Sequence, residues 1–360
     1  MTNDIGQTHV RMNWRKHPMS TTLSRSPLFH PAGPRRPEGL VGPTTYLLEL
    51  TGCRYPWADH LYRTMRDFYW KPDDVNLVAD HAQFAQLAPV EQETFLHTLG
   101  FLIYLDSIQI QNPAWLAQYI AAPEVGACLV TQAFFETIHA QSYDHLLSSI
   151  VDSRTRESVY RLWRDHPILA ARNHELVAPY EAFHHDPTLE RFATLCFADV
   201  LLEGVYFWSG FAVFLTLATR QQMTGTAQLI RQIRRDEQQH LALYIQLIRT
   251  LRDEHPDLFS PNLMAAWHDL ARAAAEHEIA WMQSITGGQF PGLPADRITA
   301  YVKWVTNLRL KAVGLEPLFL WIDQNPMPWL DRMGEMNTGK ADFFEQAVVN
   351  YQDDLDFSDI

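Results

Sequence analysis

The sequence predicts an all-α fold: a four-helix bundle with additional helices, carrying a di-metal carboxylate site in the bundle core. Three observations predict it. Glu136-Thr137-Ile138-His139 and Glu237-Gln238-Gln239-His240 each set a carboxylate and an imidazole three residues apart, which makes them neighbours on one helix face. A lone acid precedes each motif at a similar interval, Asp106 standing 30 residues before Glu136 and Glu203 standing 34 before Glu237. From Pro89 onward apolar residues recur at i, i+3 and i+4, and no strand-rich block interrupts them. Two such motifs, joined by one carboxylate from each of two further helices, are the ligand set of a dinuclear site in a bundle. The repetition of "acid, then ExxH" suggests two helix pairs related by a pseudo-twofold.

Taken in order, residues 1–43 are rich in Pro, Gly, Ser and Arg and lack sustained periodicity, so they read as an extended, mobile arm. A short helical pattern covers Ala58 to Tyr69, and Pro72 then forces an extended entry into the next segment. Long helices are expected at about 89–120, 124–151, 155–184, 187–219, 222–253, 261–284 and 294–314, from periodicity and from breaks such as Ala122-Pro123 and His255-Pro256. All six candidate ligands fall inside them. Asp323 to Trp329 reads as a loop and Phe343 to Tyr351 as a short closing segment. Residues 44–351 thus form the helical domain. The tail 352–360 alternates acids with Leu355, Phe357 and Ile360, a composition too polar to fold alone but suited to ordering on a partner.

Composition narrows the function classes. The chain has 360 residues, a net charge of −13 and no basic block in its globular part, which argues against a nucleic-acid surface. Its longest uncharged apolar stretch, 204–219, is short for a membrane span and reads as a buried central helix. The first residues are too polar for an export signal. Cys53, Cys128 and Cys196 stand far apart with no CxxC, a usage that fits a reducing cytoplasm.

Four carboxylates and two imidazoles suit iron or manganese rather than a closed zinc or thiolate centre. Two ions about 3.5 to 4 Å apart would be bridged by carboxylates. Phe135, Phe207, Phe211 and Phe214 offer water-poor walls, which favour O2 chemistry over hydrolysis. Tyr143 and Tyr244 each follow the Glu of an ExxH motif by seven residues, so either phenol lies on a ligand-bearing face and either is a candidate one-electron donor.

LDSIQ around Asp106, ETIHAQSY from Glu136, EGVYFWSGF from Glu203 and RRDEQQH from Arg234 together resemble the radical-generating small (R2, beta) subunit of class I ribonucleotide reductase, a ferritin-like family. WKPDDV at Trp70, YVKWVTNLRLKAVGL from Tyr301, NPMPW from Asn325 and DFFEQAVVNYQ from Asp342 extend the likeness over about 65–352. The resemblance implies that Asp106, Glu136, His139, Glu203, Glu237 and His240 hold two iron ions, with manganese or a mixed pair as variants. It implies that Tyr143 is the radical site beside an apolar pocket of Phe207, Phe211 and Ile233. Trp70 and Asp236 would connect the His139 position to the surface, and Tyr351 would relay the oxidant to a large (alpha) subunit. It further implies a homodimer activated by O2 or a reduced oxygen species. Only nine residues follow Tyr351, a short end for this family. The competing readings are a di-metal oxidase or oxygenase acting on its own small substrate and a ferritin-like metal store; Asp106, Tyr143 and the Trp70/Asp236 pair favour the reductase.

Overall fold

The computed structural model describes residues 22–335, which form twelve α-helices and no strand, only two isolated β-bridges. In order these are α1 (Pro56–Asp67), α2 (Val78–Phe84), α3 (Pro89–Leu116), α4 (Pro123–Ile150), α5 (Ser153–Asp165), α6 (Pro167–His185), α7 (Leu189–Leu201), α8 (Phe207–Thr219), α9 (Thr224–Glu254), α10 (Pro261–Thr286), α11 (Ala295–Ala312) and α12 (Pro328–Glu335). Six of them, α1, α3, α4, α6, α10 and α12, begin on proline, whose fixed φ suits a first helical position and whose missing N–H is no loss there. Many of the sequence's "breaks" are therefore helix starts. Tyr351 and the tail 352–360 lie outside the described residues.

Two expectations about helices need correction. The single helix expected over 155–184 is two, because Pro167 disfavours a helical conformation at the residue before it and His166 is extended at φ −83°, ψ 118°. The helix expected over 187–219 is interrupted by a π-helical turn, Leu202–Tyr206, between α7 and α8. Such a turn inserts one residue without ending the helix and occurs frequently at functional sites. It carries Glu203 here. Pro113, by contrast, sits within the last turn of α3 without stopping it.

The bundle consists of α3, α4, α9 and the α7–π–α8 rod, which pack on one another. The stretch Leu189–Thr219 is long and apolar enough to cross a membrane by length and composition, but its apolar window is wholly buried, so it is the central rod of the bundle. Helices α5, α6, α10 and α11 cover its outer side. There Phe197 stacks flat on Trp267 with ring centroids 4.5 Å apart. The buried Arg172 guanidinium lies 3.5 Å from the Phe101 ring centroid and donates to Glu278 at 2.5 Å.

Local capping fixes where the ligand-bearing helices sit. The first turn of α9 is held from 145 residues away: the buried Asp80 carboxylate accepts from the backbone N–H groups of Gly225 (3.0 Å) and Thr226 (2.6 Å). These are orphan donors of the kind every helix N-terminus leaves, and a carboxylate there also complements the helix dipole. The arm from Thr22 onward runs over the helical body. Leu40 is fully buried, its N–H donating to Glu254 at 2.8 Å, and Val41 forms a β-bridge with Ile120.

Candidate metal centre

Asp106 on α3, Glu136 and His139 on α4, Glu203 on the π turn, and Glu237 and His240 on α9 converge in the bundle core, all six with no solvent exposure. They form two overlapping quartets, Asp106/Glu136/His139/Glu237 and Glu136/Glu203/Glu237/His240, each with its ligand atoms within 4.8 Å of one another. Glu136 and Glu237 belong to both. Each divides its oxygens between the two imidazoles. Glu136 sets Oε2 3.3 Å from Nδ1 of His139 and Oε1 3.0 Å from Nδ1 of His240. Glu237 sets Oε1 3.1 Å from the first and Oε2 2.7 Å from the second. Asp106 stands 3.1 Å from His139, and Glu203 stands 4.0 Å from His240. Were two ions bound, Glu136 and Glu237 would be the shared carboxylates, with Asp106 and His139 flanking on one side and Glu203 and His240 on the other.

Burying four carboxylates without cations is strongly unfavourable, and the protein alone meets that burden with protons. Burial pushes the Asp106 and Glu203 carboxyls well above the usual carboxylate range. Burial opposes charging of His240, yet Glu136 and Glu237 outweigh it and push the imidazole up to about 9; His139 is raised in the same way by Glu237, Asp106 and Asp236. Against its own burial, Glu136 is drawn down to about 2 by His240 and His139. Two divalent ions would supply the same four positive charges that the carboxylates demand, displacing these protons as they bind. Asp106 Oδ2 and Glu203 Oε2 have no hydrogen-bond partner, so acceptor oxygens face the site unsatisfied. The residues fit a di-metal centre.

Behind His139, Nε2 lies 3.2 Å from Asp236 Oδ2, and that same oxygen accepts from the Trp70 indole at 2.7 Å. Trp70 is half-buried, so this line runs from the centre toward solvent. The two candidate tyrosines are both buried, the Tyr143 hydroxyl acting on Asp106 and the Tyr244 hydroxyl on Asp199. Burial, then the charges of Asp106, Glu237 and Glu136, raise Tyr143 well above the ordinary phenol range. Tyr244 is raised by burial and then by Asp199 and Glu203. The two phenols thus attend opposite ends of the carboxylate cluster. Phe207, Phe211 and Ile233 are all core residues, the two phenyl rings stacked at 5.8 Å.

The family model for the ribonucleotide reductase small chain matches residues 48–326. The chain belongs to the ribonucleotide reductase small-chain family. This small chain is 35% identical over 339 residues to the ribonucleoside-diphosphate reductase subunit beta of Treponema pallidum, spanning 92% of this chain and 96% of that one. It is 34% identical over 312 residues to the subunit beta of Halalkalibacterium halodurans, spanning 87% and 90%. Its fold superposes on the ribonucleotide reductase R2 subunit of Clostridium botulinum with a TM-score of 0.85 at 36% identity, covering 87% of this chain and 99% of that one. The expected all-α, ferritin-like bundle is therefore the fold of this small chain, and its activity class is that of an oxidoreductase component.

Sequence reading missed four residues that the small chain places around Glu203. Gln132 donates to Glu203 Oε1 at 3.0 Å and to Glu136 Oε1 at 3.3 Å; Gln109 donates to Glu203 Oε1 at 3.1 Å. Asp199 accepts from Gln109, and from the Tyr180 hydroxyl at 2.8 Å. A signal was present for three of them. Gln109 stands three residues after Asp106, Gln132 four before Glu136 and Asp199 four before Glu203, each spacing placing the residue on its ligand's helix face. Tyr180, on α6, has no such register.

Proposed function

We propose that this chain holds two redox-active metal ions through Asp106, Glu136, His139, Glu203, Glu237 and His240, stores an oxidising equivalent on Tyr143, and passes it to a large catalytic subunit that reduces ribonucleotides to deoxyribonucleotides. The observation that carries this reading is the division of Glu136 and Glu237 between the two imidazoles, which a single-ion site does not need. Once activated by O2 or a reduced oxygen species, two iron ions, two manganese ions or one of each would supply the one-electron oxidising power. Tyr143 would yield an electron and its hydroxyl proton, with Asp106, freed of its own proton once metal is bound, as the neighbouring carboxylate to receive it. Phe207, Phe211 and Ile233 keep water from the resulting phenoxyl. The hydrogen-bonded line His139–Asp236–Trp70 leads the oxidant toward the surface.

The same reading assigns the remaining parts of the chain. Residues 44–351 are the helical domain of a cytoplasmic homodimer, 1–43 is an arm, Tyr351 relays the oxidant and 352–360 docks on the large subunit. Electron paramagnetic resonance of the reconstituted chain tests the central claim. Tyr143→Phe should load metal as the parent does yet lose the tyrosyl signal, and Tyr244→Phe should keep it. The reverse pattern would move the stored oxidant to the other end of the cluster.

A further inference from the structure

Glu203 is held more tightly than the other terminal carboxylate, Asp106. Its backbone is fixed on the π turn: the Trp208 indole donates to the Glu203 carbonyl at 2.9 Å and Arg309 Nε to the Gly204 carbonyl at 3.0 Å. A Cβ at Gly204 would lie 2.6 Å from that Arg309 nitrogen, so the arginine sits directly on the turn. The side chain is then oriented by amides. Oε1 accepts from both Gln109 (3.1 Å) and Gln132 (3.0 Å), while Oε2 has no partner and faces Nδ1 of His240 at 4.0 Å. Two N–H donors occupy both acceptor positions of Oε1. Only Oε2 is left to offer a cation.

The Gln109 amide is itself clamped. One N–H goes to Glu203 and the other to Asp199, and its carbonyl oxygen accepts from Asn112 at 3.1 Å. Asp199 is anchored in turn by the Tyr180 hydroxyl at 2.8 Å. No side-chain amide contacts Asp106, whose Oδ1 meets only His139 and whose Oδ2 is unpartnered. We infer that Gln109, clamped by Asp199, is a positioning residue that restricts Glu203 to one-oxygen ligation and so sets the metal affinity of the His240 end separately from the His139 end.

The inference rests on the di-metal reading above, and titration of the metal-depleted full-length chain with Mn(II) separates the two. Free Mn(II) is followed by electron paramagnetic resonance. Gln109→Leu removes the Gln109 donor to Glu203 and its donor to Asp199 at nearly constant volume, leaves Gln132 on Oε1, and touches no other ligand. It should weaken one of the two dissociation constants by roughly 10- to 100-fold, the usual effect of losing a partner that orients a metal ligand, with the other unchanged within about twofold on the same principle. Gln109→Met, which also donates nothing, should repeat the split if leucine disturbs the helix. Asp199→Ala, which takes away the acceptor that clamps Gln109, should weaken the same constant in the same direction. A parent chain that fails to bind two ions would overturn the di-metal reading itself. Two ions in the parent, with both constants unchanged or both shifted together in the Gln109 variants, would overturn only the role given to Gln109.

Discussion

Behind His139 stands Asp236, and behind Asp236 the half-buried indole of Trp70; behind His240, Nε2 is buried and meets no hydrogen-bond partner. The same ExxH motif therefore serves two different ends. One end is connected outward through a carboxylate and an indole. The other is enclosed by Gln109, Gln132 and Asp199, with Tyr180 and Tyr244 beyond them. Polar links around a buried site can orient a ligand or lead away from it, and the two halves of this chain differ in which kind they hold.

The largest expected effect comes from removing what the halves share. Glu237→Ala should leave fewer bound ions than His240→Ala, because its carboxylate serves both imidazoles; metal analysis of the purified variants, checked by circular dichroism for retained helix, measures this. Equal retention in the two variants would break the assignment of Glu237 as shared.

Next in size is the outward line. Trp70→Phe keeps the ring but removes the N–H that Asp236 accepts. Metal content and the tyrosyl signal should persist while ribonucleotide reduction with the large subunit falls by about 1,000-fold, or about 4 kcal/mol on the barrier. Tyr180→Phe, at the enclosed end, should retain most of the turnover. Comparable losses in both variants would erase the functional contrast.

A smaller effect belongs to the enclosed end alone. Burial raises the Asp199 carboxyl to about 7, above its unfolded value near 3.9. Between those values the folded chain holds a proton that the unfolded chain has released, so stability falls as pH rises through this window and levels off above about 7. Denaturant titration of metal-free protein should show Asp199→Asn losing this slope, a difference of up to about 4 kcal/mol by pH 8 at about 1.4 kcal/mol per pH unit. Parallel pH curves for parent and variant would contradict the buried, protonated state.

The smallest effect concerns how α9 and α4 are anchored. Pro123 starts α4 with no side-chain cap, whereas Asp80 caps α9 from a distant segment. Asp80→Ala should cost about 1 to 2 kcal/mol, seen as a fall of a few degrees in Tm. An unchanged Tm would show that packing alone holds α9 in place.

Helix-face spacing singled out the two Glu/His pairs from sequence, because a three-residue separation within a helix is independent of what packs against it; Asp106 and Glu203 came from the repeated interval and the family resemblance. It could not tell which carboxylates are shared. That depends on how α4 and α9 are rotated against each other, and only the packed bundle turns Glu136 and Glu237 toward both imidazoles. Proline chemistry was legible as punctuation, but whether Pro167 splits a helix or Pro113 rides within one depends on whether the preceding residue is driven extended. The environment of Glu203 was the least visible part. Gln109 and Asp199 do stand at helical spacings from ligands, yet an amide and a carboxylate become a clamp only when α3, α7 and the π turn meet, and Tyr180 enters from a helix with no register to the motifs. Local geometry was written in the order of the residues; sharing, clamping and the outward line arose from contacts between residues 19 to 166 apart, which no local pattern encodes.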